Sequence, residues 1–179
     1  SEIKFRTWEE WLRSADMNIF KAVTGKLLPY TAIFITVGVL ANYVLFGVLR
    51  IPFSCGFWPL NLSMALFVVA TQCLAVFLFS LFPAIGIVIS VVSMVGSLGA
   101  TLSGVTFPVP FMYRPVYYAS FLFPVRHFVE ISQNLLYGDA SFASSWPSVG
   151  ALLLFLLLPL PVLPHLEKAI LSRRYENIE

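Results

Sequence analysis

Charged side chains are scarce in this sequence, and one long stretch has none. Residues 51–113 contain no Asp, Glu, Lys, Arg or His, and charged residues make up only 11% of the chain. One charge at the centre of a membrane-spanning helix costs roughly 2.5–3.5 kcal/mol, so a bilayer selects against charges that a soluble surface needs. One span takes about 20 apolar residues, so this stretch is too long for a single span. The chain is therefore predicted to be an all-α polytopic membrane protein.

Other absences exclude whole function classes. The net charge is only +2 and the basic residues are scattered rather than clustered with exposed aromatics, so nucleic-acid binding is not expected. Cys55 lies in a predicted loop and Cys73 in a predicted span, which does not suit a disulfide or a metal pair. No span holds a His and acidic set with metal-ligand spacing, so an intramembrane enzyme is not expected. No Gly-rich phosphate loop is present, so ATP has no usual site here.

Windows without charge predict four spans, at about residues 28–48, 59–82, 84–103 and 146–166. Eight of the eleven Lys and Arg residues lie before the first span or after the last. The other three, Arg50, Arg114 and Arg126, lie in loops on the opposite side. Because basic residues concentrate in cytoplasmic segments, both ends of the chain are predicted to be cytoplasmic.

The spans divide the chain into five parts. Residues 1–26 form a cytoplasmic region, 27–104 hold three spans, 105–145 lie outside, 146–167 form the last span and 168–179 a cytoplasmic tail. Residues 105–145 are too polar and too broken by proline to cross a bilayer. They are predicted to form a re-entrant segment of short helices in the outer leaflet, where irregular backbone is tolerated only against protein or water. Pro108, Pro110, Pro115 and Pro124 are predicted to set its breaks.

An amphipathic helix is predicted before the first span. Thr7 and Glu10 fit a capping box, in which the hydroxyl and the carboxylate satisfy the first turn of the helix. Trp8 and Trp11 then lie on one face, with Glu9 and Glu10 directed elsewhere. Such a helix either lies among lipid headgroups or docks a cytoplasmic partner, and the residues themselves leave both interpretations open.

Two patches resemble one family, the ABC-2 type permeases, which are the membrane subunits of ATP-driven exporters. The first patch is Thr-Trp-Glu-Glu-Trp-Leu at 7–12, followed by Gly-Lys-Leu-Leu-Pro-Tyr at 25–30. The second is Ser-Gly-Val-Thr-Phe-Pro at 103–108, followed by Met112 and then by Phe123 and Pro124. The order and spacing of the two patches carry the resemblance, which covers most of the 179 residues.

The resemblance implies an inner-membrane export subunit of six spans, of which this chain is the C-terminal half. It implies alternating access that moves a hydrophobic or amphipathic substrate, with ATP and Mg²⁺ bound by a partner ATP-binding cassette subunit. A second permease subunit would complete the transporter, and this chain would hold no cofactor or metal and perform no catalysis. The predicted amphipathic helix would be the coupling helix, with Trp8, Glu9, Glu10 and Trp11 in contact with the ATPase.

The third predicted span is rich in small residues. Gly96, Ala100 and Gly104 recur four apart, a spacing that lets another helix approach closely. The partner helix belongs either to the same subunit or to a second one, and the resemblance favours a position near the subunit interface and the export pathway.

Arg126, His127 and Glu130 are the charged or titratable candidates of the re-entrant segment. Arg126 and Glu130 are four apart and can pair on one helical face. A structural ion pair or a lipid headgroup contact is the favoured interpretation, and His127 as a proton relay is the alternative. Asn42, Thr71 and Gln72 lie within spans and are expected to bond to neighbouring helices.

An ion-coupled secondary carrier is the alternative function. Such carriers commonly place a titratable group near the bilayer midplane. All four predicted spans lack acidic residues, which counts against this class.

Overall fold

The computed structural model describes residues 19–50, 56–81, 85–106, 108–137 and 145–162. They form six α-helices and two short helical segments, with no strand among them. The elements are α1 (Ile19–Asn42) with a π-helical continuation (Tyr43–Val48), α2 (Phe57–Leu81), α3 (Ile85–Leu102), a 3₁₀ turn (Val109–Phe111), α4 (Arg114–Ser120), α5 (Pro124–Tyr137) and α6 (Trp146–Leu157). Within these ranges the prediction of an all-helical fold is confirmed.

In the part of the chain that the structure describes, two helical stretches are long and apolar enough to cross a bilayer. They are Phe20–Val48, with 29 residues, and Phe57–Leu81, with 25. At about 1.5 Å per residue, both exceed the roughly 30 Å of hydrocarbon. No residue in the apolar part of the first helix is buried and only 17% are in the second, so most of their apolar side chains are at least partly exposed. Gly86–Leu102 and Trp146–Leu157 are shorter apolar helices.

The first long helix begins earlier than the predicted span at 28–48. It is already helical at Ile19, so the predicted boundary between residues 26 and 27 falls inside α1. Pro29 lies within the helix and has no N–H for the carbonyl of Gly25. At its C-terminal end the helix becomes π-helical, and the N–H of Leu49 bonds to the carbonyl of Val44, five residues earlier, at 2.9 Å.

The last helix ends earlier than the predicted span at 146–166. Its α-helical part stops at Leu157, and residues 163–166 lie outside the described residues. Pro159 and Pro161 lack the N–H groups that would continue the helical ladder. The chain instead turns through bonds between residues three apart, such as Leu160 N to the Leu157 carbonyl at 3.1 Å.

Helix α2 is the centre of the packing, in contact with α1, α3, α5 and α6. A small core forms where α2, α5 and α6 meet, from Leu60, Ala70, Ile131, Leu135 and Leu152. Phe67 of α2 and Phe128 of α5 stack beside it, with ring centroids 4.7 Å apart. This packing holds the short α5 against two of the apolar helices.

Prolines begin both short helices between α3 and α6. Pro115 is in the first turn of α4, and Pro124 is the first residue of α5. Pro108 precedes the 3₁₀ turn. A proline suits the first turn because its missing N–H would have no helical partner there. The described residues between 105 and 145 thus form short helices with prolines at their starts, while the re-entrant position of this segment stays a prediction.

Candidate functional site

A row of polar residues runs along one side of α5. Arg126, Glu130 and Asn134 follow one another at intervals of four, which places them on one helical face. We call these three residues the α5 polar row. The buried Ile131 and Leu135 hold the helix in the core, so the row is fixed beside the ends of α3 and α6.

The side chain of Arg126, a residue of α5, contacts the C-terminal end of α3. Its side chain is 5% exposed, and its Nη1 is 3.5 Å from the carbonyl of Ser103. The guanidinium carbon also lies 5.9 Å from the ring centroid of Phe121. Helix C-termini carry partial negative charge, so a cation is favoured there. The Nε of Arg126 has no hydrogen-bond partner among the described residues.

Glu130 of α5 contacts a helix N-terminus, because it lies beside the first turn of α6. Its Oε2 accepts a hydrogen bond of 3.0 Å from Ser148 Oγ, and it is 4.0 Å from Arg126 Nη2. Partial positive charge at the helix N-terminus favours a carboxylate there. The predicted pair of Arg126 and Glu130 therefore exists, at the outer limit of an ion-pair distance.

Asn134 extends the same contact. Its Nδ2 is 3.4 Å from the Oγ of Ser145, the buried residue that precedes α6. The α5 polar row thus connects the C-terminal end of α3 to the N-terminal end of α6, with charges that match both helix dipoles.

His127 has the contacts of a structural residue. Its Nε2 lies 3.0 Å from the carbonyl of Phe121, and since a carbonyl only accepts, this nitrogen donates. Its ring packs between Phe121 and Phe155, at centroid distances of 5.7 and 6.2 Å. Nδ1 has no partner in the part of the chain that the structure describes. The proton-relay role stays a prediction that none of these contacts supports.

The small residues of α3 and of the two positions that follow it separate into two groups. Gly99, Ser103 and Gly104 are buried, and a Cβ on Gly99 would lie 3.2 Å from the ring of Phe123. Gly86, Ser90, Ser93, Gly96, Ser97 and Ala100 are exposed. A Cβ on Gly96 would meet no described atom within 4 Å. Packing within the described chain therefore accounts for the first group and leaves the second uncovered.

Gly104 lies in the turn that follows α3. Its φ is +98°, a conformation that side chains rarely adopt. A Cβ there would be 3.1 Å from both Arg126 Nη1 and Val109 Cγ2. Glycine is thus required for the backbone conformation and for the close approach of Arg126.

The residues predicted to contact an ATPase are Trp8, Glu9, Glu10 and Trp11, and all four lie outside the described residues. Of the prolines predicted to shape the re-entrant segment, Pro108 is exposed and Pro124 is buried. Within the described ranges, no three His, Cys, Asp or Glu side chains lie close enough to hold a metal ion.

Asn42, Thr71 and Gln72 were expected to bond to neighbouring helices, and two of the three do so. Asn42 bonds to Asn61, and Thr31 bonds to Gln72, so two polar side chains of α2 are tied to α1. Thr71 instead donates to the carbonyl of Phe67 in its own helix. Sequence reasoning did not single out Asn61 or Ser148. The amide of Asn61 inside a charge-free stretch could have indicated a bond to another helix. A serine in an apolar helix, such as Ser148, gives no such indication.

Long apolar helices with exposed surfaces, joined by partly buried polar contacts, are typical of a multi-pass membrane protein. The chain matches the family described as ABC-2 family transporter protein over residues 7–162. It belongs to this family, which confirms the resemblance seen in the sequence. Members are membrane components of transporters rather than catalysts, and they generally work with an ATP-binding subunit. Searches of curated proteins and of solved structures found no match.

Proposed function

We propose that the chain is the membrane-spanning permease part of an ATP-driven exporter. It would move a hydrophobic or amphipathic substrate out of the cytoplasm or the inner leaflet by alternating access. The family match over residues 7–162 is the observation that carries this proposal.

The proposed topology has four spans, formed by α1, α2, α3 and α6, in an inner membrane. Both ends would be cytoplasmic, because eight of eleven Lys and Arg residues lie before residue 27 or after residue 167. Helices α4 and α5 would then lie at the outer surface between α3 and α6. The burial of Arg126 against the end of α3 supports a re-entrant position, since such a charge needs protein partners at that depth.

A second permease subunit would cover the exposed small residues of α3. Gly96 and Ala100 are on this face, and Ser97 donates to the Met94 carbonyl of its own helix. A face of small residues whose hydroxyls bond within their own helix, as those of Ser90 and Ser97 do, lets another helix approach closely. The partner would be a second copy of the subunit or a related permease.

The energy source would be an ATP-binding cassette, with ATP and Mg²⁺, on a partner subunit or another part of the same polypeptide. This assignment is supported by the family and by the lack of a phosphate loop in the 179 residues. The coupling helix would present Trp8 and Trp11 to a groove of the ATPase, with Glu9 and Glu10 at its rim.

Purification of the full-length membrane subunit from its host tests the proposal. A subunit with a Gly-rich phosphate loop should remain bound, and the complex in nanodiscs should hydrolyse Mg-ATP. The control is the same complex with the phosphate-loop Lys of that subunit replaced by Ala, which should lose the hydrolysis. A membrane subunit that transports on an ion gradient without any ATP-binding partner would contradict the proposal and indicate a secondary carrier.

A further inference from the structure

We propose that the carboxylate of Glu130 alternates between two hydrogen-bond partners and thereby controls the attachment of α5 to α6. We call this alternating contact the latch. In one arrangement the carboxylate binds Ser148, and in the other it binds Arg126. Exchange between the two would release the first turn of α6 during transport. This inference rests on the proposed function, because only a transporter that changes conformation needs such a release.

The first observation is that two donors lie near the same carboxylate oxygen of Glu130, and only one of them is hydrogen-bonded to it. Ser148 Oγ is 3.0 Å from Glu130 Oε2, which is a hydrogen bond. Arg126 Nη2 is 4.0 Å from the same oxygen, too long for a hydrogen bond. The structure therefore shows the arrangement in which Ser148 is bound.

The second observation is that Arg126 is poorly satisfied in this arrangement. It is buried, its contact with the Ser103 carbonyl is 3.5 Å long, and its Nε has no partner among the described residues. A buried guanidinium is stable only with close, well-oriented acceptors, and a carboxylate can accept two of its N–H groups in parallel. Glu130 is the single acidic residue in the described ranges. Within them, only its carboxylate can therefore accept two N–H groups of Arg126 in parallel.

The third observation is that both Glu130 and Ser148 can make the change. The Glu130 side chain is 39% exposed, so it has room to turn toward Arg126 on its own helix. Ser148 is buried, but a helical serine can bond a carbonyl of its own helix. Ser63 and Ser120 do so here, with Oγ to carbonyl distances of 2.8 and 2.7 Å. In the second arrangement the guanidinium of Arg126 would therefore gain an acceptor, and the Ser148 hydroxyl would keep one.

The consequence concerns the attachment of α6. Its start is held to α5 by Ser148 on Glu130 and by Ser145, whose Oγ is 3.4 Å from Asn134. When Glu130 turns to Arg126, the shorter of these two bonds is lost. The N-terminal end of α6 can then shift relative to α5 and α3, which moves one proposed span against another.

The test uses the full-length transporter with its ATP-binding subunit in nanodiscs. Spin labels on Val105→Cys and Leu154→Cys, both exposed, report the distance from the end of α3 to α6 in a background without other cysteines. Ser148→Ala removes the bond to Glu130, while Ser148→Thr keeps a hydroxyl. Ser63→Ala is the matched control, since that buried hydroxyl bonds only within α2. Distance distributions and Mg-ATP hydrolysis are measured for each variant.

In nucleotide-free protein, Ser148→Ala should shift the population toward the distance seen with ATP and vanadate. A shift of roughly three- to ten-fold corresponds to one hydrogen bond between membrane helices. Ser148→Thr and Ser63→Ala should match the unmodified transporter. An unchanged distribution in Ser148→Ala, or an equal shift in Ser63→Ala, overturns the latch. Absence of Mg-ATP hydrolysis in the unmodified complex overturns the proposed function instead, while the nucleotide-free distances still decide the latch.

Discussion

Asn42 of α1 and Asn61 of α2 bond to each other through their side-chain amides, with Asn42 Nδ2 3.0 Å from Asn61 Oδ1. Asn61 is buried, and its own Nδ2 donates to the Phe57 carbonyl at 2.8 Å. Thr31 and Gln72 form a second link, with Oγ1 and Oε1 2.7 Å apart. The two longest helices are thus joined at two depths by polar pairs in otherwise apolar surfaces.

Replacement of Asn42 by Leu should weaken the packing of these helices. The buried Asn61 carbonyl oxygen would lose its donor, and such bonds between membrane helices contribute about 1 kcal/mol. Thermal unfolding of the purified subunit in nanodiscs measures the loss. Thr36→Val is the control, because Thr36 donates only to the Ala32 carbonyl of its own helix. Equal stability of the two variants would mean that the amide pair contributes little.

Replacement of Gly104 by Ala should destabilise the turn after α3. The added Cβ would lie 3.1 Å from Arg126 Nη1, and a side chain at φ +98° is strained, so we expect a loss of about 1–3 kcal/mol. Gly86→Ala is the matched control, since its Cβ would meet no described atom within 4 Å and alanine favours a helix. Unfolding midpoints of both variants decide the prediction, and a Gly104→Ala protein as stable as the control would contradict it.

Much of the helical arrangement was predictable, because a bilayer excludes charge and the charge-free windows record that exclusion. Helix ends were less predictable. Lys21 and Lys26 belong to α1, since a helix can continue beyond the hydrocarbon, and Pro159 stops α6 inside an apolar stretch where charge gives no signal.

The candidate site was predictable only in part. The interval of four between Arg126 and Glu130 predicted their shared face, because a helix repeats every 3.6 residues. Their other partners, the Ser103 carbonyl and Ser148, lie 23 and 18 residues away in the sequence. Contacts with a backbone carbonyl or between separate helices leave no periodic pattern, so the connection from α3 to α6 required the structure.

The exposed small face of α3 predicts a close contact with a second permease subunit. Gly96→Leu or Ala100→Leu should reduce the dimer fraction and Mg-ATP hydrolysis of the transporter, because a large side chain keeps the helices apart. Met94→Leu, at an exposed position on the same helix, should leave both unchanged. Crosslinking in membranes and hydrolysis assays check this. A normal dimer fraction in Gly96→Leu would place the interface elsewhere.

The eight-to-three distribution of basic residues predicts the orientation of the chain. In a cysteine-free version of the full protein, Ser1→Cys and Ser172→Cys should be shielded from an impermeant thiol reagent added outside intact cells. Ser141→Cys, in the predicted outer segment, should react. Labelling of both terminal positions from outside would reverse the topology.

The coupling helix predicts that aromatic residues, rather than acidic ones, hold the ATP-binding subunit. Trp8 and Trp11 would bury apolar area in the ATPase, whereas Glu9 and Glu10 would meet basic residues at the rim. Buried aromatic anchors usually dominate such interfaces, and rim charges contribute less. Trp11→Ala should therefore reduce co-purification of the ATPase and coupled Mg-ATP hydrolysis more than Glu10→Ala does.

Both variants should still insert into the membrane, because the predicted spans are unchanged. Membrane yield of each variant is therefore the control for folding, and co-purification is compared at equal yield. If Trp8→Ala combined with Trp11→Ala leaves co-purification and hydrolysis at the unmodified level, the helix lies among lipid headgroups. The contact with the ATPase must then be made by another segment, because a helix that holds its partner through two tryptophans cannot lose both without effect.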